Sequence, residues 1–110
     1  MPNVGDKVFA QWPFGVEWWY PGVICGEQNG SLEVQFDDGD RATLTPEQVR
    51  PLDVQSGTRV YCRWKGGGHY YPGRIAAIDG NAIQVDYDDG DKEATTVSML
   101  RLNVNDFAVR

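Results

Sequence analysis

The chain alternates apolar and polar residues over short runs broken by turn formers. Lys7 to Trp12, Tyr20 to Gly26, Leu32 to Asp37 and Arg41 to Leu44 carry the period-2 pattern of half-buried strands, with a further short strand expected at Val49 to Leu52. Gly15, Asn29 Gly30 and Asp38 Gly39 separate these runs, and Asn-Gly between two strands predicts a tight hairpin. Thr45 Pro46 Glu47 Gln48 has a capping residue, a proline at the first helical position and a Gln three residues on, which predicts one helical turn.

The same pattern then recurs. Pairing residues 4–12 with 56–64 and 18–50 with 69–101 aligns 42 positions across a one-residue length change, and fourteen are identical. They include Gly5/Gly57, Val8/Val60, Trp12/Trp64, Tyr20 Pro21 Gly22 against Tyr71 Pro72 Gly73, Val34/Val85, Arg50/Arg101, and Asp37 Asp38 Gly39 Asp40 against Asp88 Asp89 Gly90 Asp91. An internal duplication of about 50 residues predicts two all-β modules, 1–53 and 54–104, followed by a tail at 105–110. Five short bent strands and one helical turn make each an SH3-like barrel. The linker, Asp53 to Ser56, is short enough to predict one rigid body in which each small barrel leans on the other.

Composition narrows the function. Ten Lys plus Arg against 16 Asp plus Glu give a net charge of −6, which disfavours general nucleic-acid binding. The excess sits in the first half, where residues 1–52 hold 3 basic and 8 acidic side chains, against 7 and 8 in residues 53–110. With neither a long apolar run nor a basic leader, the chain reads as an intracellular protein, nuclear in a eukaryote and cytoplasmic in a bacterium, with no membrane association. Cys25 and Cys62 align with Ala76 and Ala10, a pattern of small buried residues more than of a disulfide.

Alternation puts Val8, Ala10 and Trp12 on one face and Val34, Phe36 and Asp38 on another. With Val8 and Val34 plugging the core, Trp12 and Phe36 reach the barrel mouth beside Tyr20 and Asp38. The second half offers Trp64, Tyr71, Tyr87 and Asp89. Aromatic faces with a carboxylate attract a methylated ammonium, because the rings are electronegative and the methyl groups lower the cost of desolvation. Trp18 falls on the face of Tyr20 and is a candidate extension of the pocket, whereas Trp19 falls opposite.

Other features carry less. Asp37, Asp38 and Asp40 lack the spacing of a calcium loop, and the sole histidine, His69, aligns with Trp18. Gly66 Gly67 Gly68 lacks the Lys and Ser/Thr of a phosphate loop. No base stands with a nucleophile, so the chain reads as a non-enzyme without cofactor or metal. Arg59, Arg63, Lys65 and Arg74 form a basic strip that offers nucleic-acid contact as one alternative.

The order Gly, Val, Trp, then Tyr Pro Gly, then Phe or Tyr followed by Asp Asp Gly, resembles a Tudor domain, and the two copies resemble a tandem Tudor over residues 4–102. The resemblance implies a reader of methylated lysine, or arginine, on a partner peptide such as a histone tail. It implies cages at Trp12, Tyr20, Phe36 and Asp38 and at Trp64, Tyr71, Tyr87 and Asp89. Such cages often carry another aromatic after the turn, where this chain has Asp40 and Asp91. An acidic wall accepts a hydrogen bond from the N–H that trimethyl-lysine lacks, which predicts preference for lower methylation. The acidic first half is the expected primary site. An adaptor that binds an unmodified partner, or itself, through the same surface is the alternative.

Overall fold

In the computed structural model, which describes residues 3–13, 15–52 and 54–107, the chain divides into two compact units, Met1–Asp53 and Val54–Arg110. Unit 1 contains β1 (Lys7–Trp12), β2 (Gly15–Gln28), β3 (Ser31–Phe36), β4 (Arg41–Leu44), a 3-10 turn at Pro46–Gln48 and β5 (Val49–Pro51). Unit 2 contains β6 (Arg59–Arg63), a 3-10 turn at Trp64–Gly66, β7 (Tyr70–Asp79), β8 (Ala82–Tyr87), β9 (Lys92–Thr96), a 3-10 turn at Val97–Met99 and β10 (Leu100–Asn103). A short helix, α1 (Val104–Phe107), follows; the remainder of the tail, with Val109, lies outside the described residues, as does Asp53 of the linker.

Within each unit the strands pair antiparallel in one order, β4-β3-β2-β1-β5 and β9-β8-β7-β6-β10. These are two five-stranded SH3-like modules, although among the described residues the outer strands of each do not pair to close the ring. Val8 and Val34 plug the core as expected, and Phe36, expected at the barrel mouth, is buried with them. Val8, Ala10, Ile24, Leu32, Val34 and Phe36 form one buried cluster, each no more than 3% exposed. Their counterparts in unit 2, including Val60, Cys62, Ile75, Val85 and Tyr87, are equally buried. Each aliphatic side chain so buried contributes roughly 1.5 to 3 kcal/mol of transfer free energy. Phe9 and Trp19, on the outer faces of β1 and β2, are buried as well.

Local chemistry explains the turns. Asn29 (φ 54°) and Gly30 (φ 84°) occupy the left-handed positions of a two-residue hairpin. At the predicted helical turn the Thr45 N–H donates to Gln48 Oε1 at 2.9 Å. The second strand is longer than its alternation suggested: it starts at Gly15, because Gln11 pairs with Trp19 and Trp12 with Gly15. The aromatic run there is well suited to a pleated surface, and it continues the hairpin where a loop was expected.

The repeated Tyr-Pro-Gly is explained by strand crossing. Gly22 lies opposite Phe36 and Gly73 opposite Tyr87, and a Cβ on either would meet a backbone carbonyl oxygen at 2.8 Å, Gln35 O or Asp86 O. The bulge that bends β2 falls at Cys25, and that of β7 at Ala76. Cys25 is therefore only half-buried, its thiol donating to Glu33 O at 3.5 Å, whereas Cys62 is fully buried. The expectation of burial holds for one cysteine of the two.

Candidate functional site

Unit 2 brings five residues round one surface cavity of about 210 Å³: Trp64, Tyr71, Tyr87, Asp89 and Asp91. Pockets for drug-sized ligands run about 300–1,000 Å³, so this one is sized for a single side chain. Trp64 opens the turn after β6, Tyr71 lies on β7, Tyr87 ends β8, and the two carboxylates belong to the turn before β9. Trp64 stands edge-on to Tyr87, with centroids 5.3 Å apart and planes at 85°. Tyr71 is 45% exposed and offers its ring to solvent.

Unit 1 repeats the arrangement with more of it buried. Trp12 is edge-on to both Phe36 (5.4 Å, 80°) and Tyr20 (6.5 Å, 77°), and Trp12 and Tyr20 pack in part against the core. Asp38 and Asp40 are exposed in the turn. Trp18 is half-buried in β2, two residues before Tyr20.

The Asp-Asp-Gly-Asp segments are turns first. Asp38 Oδ1 accepts the Asp40 N–H and Asp89 Oδ1 the Asp91 N–H, each at 3.0 Å, while Gly39 and Gly90 both have φ 98°. A side chain is strained at that angle, so the glycine is required by the backbone. Each of these carboxylates thus caps a turn with one oxygen and keeps another to offer a cation.

Behind the rings the units differ. The Tyr87 hydroxyl donates to Glu93 Oε1 at 2.7 Å, and Glu93 Oε2 accepts the Lys65 N–H at 2.7 Å. Cys62 lies within hydrogen-bonding reach of Tyr87. Burial, first, and then hydrogen bonds with Cys62 and Glu93 push the Tyr87 phenol far above its ordinary range, so it remains an O–H donor. Burial likewise pushes the Cys62 thiol up. The aligned residues of unit 1 are Ala10, Phe36 and Ala42, an apolar set. Sequence reasoning missed Glu93; the joint change at these three repeat positions was the available signal.

The basic strip is engaged within unit 2. Arg59 Nη1 donates to both Asp88 carboxylate oxygens at 2.7 Å, and Arg63 donates to the Gly67 and Gly66 carbonyls at 2.6 and 3.2 Å. Arg74 donates to Gly57 O at 3.0 Å, and Lys65 Nζ stands 5.2 Å from the centre of the Trp64 ring. Among the described residues no helix is long and apolar enough to cross a membrane.

Comparison with known proteins agrees with this architecture. A family model described as "DNA repair protein Crb2 Tudor domain" matches residues 4–52. The crystal structure of Crb2 tandem tudor domains is similar with a TM-score of 0.70 at 11% identity, covering 100% of this chain and 86% of that one. Weaker likenesses are to Arabidopsis thaliana AGDP1 AGD34 (TM-score 0.49, 12% identity, 94% and 83% covered) and to ADCP1 tandem Agenet domain 3-4 (0.43, 13%, 94% and 81%). No curated protein sequence matches the chain.

Proposed function

We infer, from the premise that the chain is a tandem Tudor domain and hence a binding module, that it receives a methylated lysine or arginine side chain from a partner peptide. In a eukaryotic source, a histone tail has the required chemistry. One observation carries this reading: three aromatic rings and two carboxylates line a single cavity of side-chain size in unit 2. Each ring contributes roughly 0.5 to 2 kcal/mol to a cation held against its face. Asp89 and Asp91 accept the N–H that mono- and dimethyl-lysine retain, which favours them over trimethyl-lysine. This observation supports unit 2 as a site, beside unit 1, which the charge asymmetry favours.

Affinity should be about −5 to −8 kcal/mol, because little surface is covered. The test is a titration with unmodified, mono-, di- and trimethyl-lysine peptides and with methyl-arginine peptides, read by tryptophan fluorescence. Tyr71→Ala retains every tryptophan as a reporter and removes a ring that is 45% exposed, so the fold is spared. A loss of about tenfold or more in Tyr71→Ala is expected. Silence at millimolar peptide, or equal binding by the variant, refutes the reading.

The partial burial of Trp12 and Tyr20 against the core favours a second reading for unit 1, in which its aromatics are packing and its surface serves an unmodified partner. Nucleic-acid contact draws less support, since Arg59, Arg63 and Arg74 already hold their own unit together.

A further inference from the structure

The two units reach nearly one ring geometry by different means. Trp12 and Phe36 are 5.4 Å apart, Trp64 and Tyr87 5.3 Å, and both pairs are edge-on. Trp12 is held by the sheet: it belongs to β1 and pairs with Gly15. Trp64 is not. The β6–β7 ladder ends at Arg63 and Tyr70, and Trp64 sits beyond it on a turn that runs into Gly66, Gly67 and Gly68. That turn contains a lysine at φ 53°, Lys65, a left-handed conformation that strains a side chain. A glycine-rich segment with a strained residue does not fix a tryptophan unaided.

We propose that Glu93 is the positioning residue of the second cavity. Its Oε2 holds the backbone N–H of Lys65, next to Trp64, and its Oε1 holds the hydroxyl of Tyr87, so one side chain on β9 ties together two walls carried by separate elements. It supplies the anchorage that strand pairing gives Trp12. Its counterpart, Ala42, faces a phenylalanine without a hydroxyl and a tryptophan already in register, where no such tie is needed. The proposal rests on the cation-site reading for its effect on affinity, and on the structure alone for its effect on the walls.

The experiment pairs Glu93→Ala with Tyr87→Phe in the full chain, measuring backbone amide exchange, Trp64–Tyr87 ring contacts by NMR, and dimethyl-lysine peptide affinity. Glu93→Ala should speed Lys65 amide exchange at least tenfold while leaving the β6–β7 amides unchanged, weaken the Trp64–Tyr87 ring contacts, and weaken peptide binding about tenfold. Tyr87→Phe should keep Lys65 protected and lose less affinity, because it cuts one tie of two. Glu93→Gln, which preserves side-chain volume and one acceptor, should fall between them and carries the test if the alanine variant unfolds. Unchanged Lys65 exchange in Glu93→Ala overturns the proposal, as does faster exchange with unchanged ring contacts. If the unaltered chain binds no peptide, the cation reading fails, and exchange and ring contacts still decide the positioning.

Discussion

Replacing Gly73 by alanine tests the close crossing that sets Tyr87 over the core. The added Cβ would lie 2.8 Å from the Asp86 carbonyl oxygen, 3.0 Å from a Val85 methyl and 3.1 Å from the Tyr87 Cα. Two of these three contacts are with backbone, so no side chain can rotate away, and β8 must retreat by several tenths of an ångström. Forcing an extra methyl into a packed site costs typically about 1 to 3 kcal/mol. In a domain of this size, 1 kcal/mol shifts the melting temperature by about 4 to 8 °C, so a fall of roughly 10 °C is expected. Gly22→Ala should match it, since there the Gln35 carbonyl oxygen lies at the same 2.8 Å. Gly68→Ala is the control: nothing lies within 4 Å of its Cβ, and it should be neutral or slightly stabilising. Thermal unfolding followed by circular dichroism decides. A Gly73→Ala melting point within about 2 °C of the control would show that the strands yield at no cost, and the reasoning would be wrong.

Two further outcomes follow from the polar group behind the second cavity. Cys62 and Tyr87 are both raised above their ordinary 9.0 and 10.0, chiefly by burial. Below about pH 9 both folded and unfolded chains keep these protons; above it the unfolded chain releases them first, so stability falls by up to about 1.4 kcal/mol per pH unit for each group. Urea midpoints at pH 8 and pH 10.5 should show this loss, and a Cys62→Ala/Tyr87→Phe variant should show less of it. In unit 1, Phe36→Tyr places a hydroxyl in a site that is 3% exposed and faces Ala42, at a cost of about 1 to 3 kcal/mol. Adding Ala42→Glu should recover part of that cost in denaturation experiments; equal instability of the double variant would argue against a transferable Tyr–Glu pair.

The strands and core were legible because both depend on local alternation. Val8, Ala10 and Val34 are buried as their period of two demands, and Asn29 Gly30 turns as its dihedral preference demands. Duplication made the aromatic and acidic positions visible, and the structure gathers the second set round one cavity. Identity between the repeats also has backbone causes: Gly39 and Gly90 answer to φ, and Asp38 and Asp89 cap their turns whatever else they do. Charge counting weighs exposed carboxylates equally, whereas the cavity of unit 2 depends on Asp89 and Asp91 being folded beside three rings. The basic strip looked available because the partner of Arg59, Asp88, is 29 residues away in sequence and only folding joins them.

Glu93 escaped notice because a glutamate on an alternating, solvent-facing strand is ordinary. Its meaning lies in company. A carboxylate at this position opposite a phenylalanine would lose one of its two donors, keeping only the Lys65 N–H, and a tyrosine opposite an alanine would bury a hydroxyl without an acceptor, which costs about 1 to 3 kcal/mol. Cys62, Tyr87 and Glu93 therefore form a set whose members are stable together, as are Ala10, Phe36 and Ala42. Passing from one set to the other crosses a destabilised intermediate that a domain of about 50 residues, with little stability to spare, can ill tolerate. Drift within an indifferent core would more readily exchange one apolar side chain for another. That unit 2 holds the polar set, directly behind the cavity lined by Trp64 and Tyr87, argues that the two repeats diverged beside that cavity while keeping a common frame.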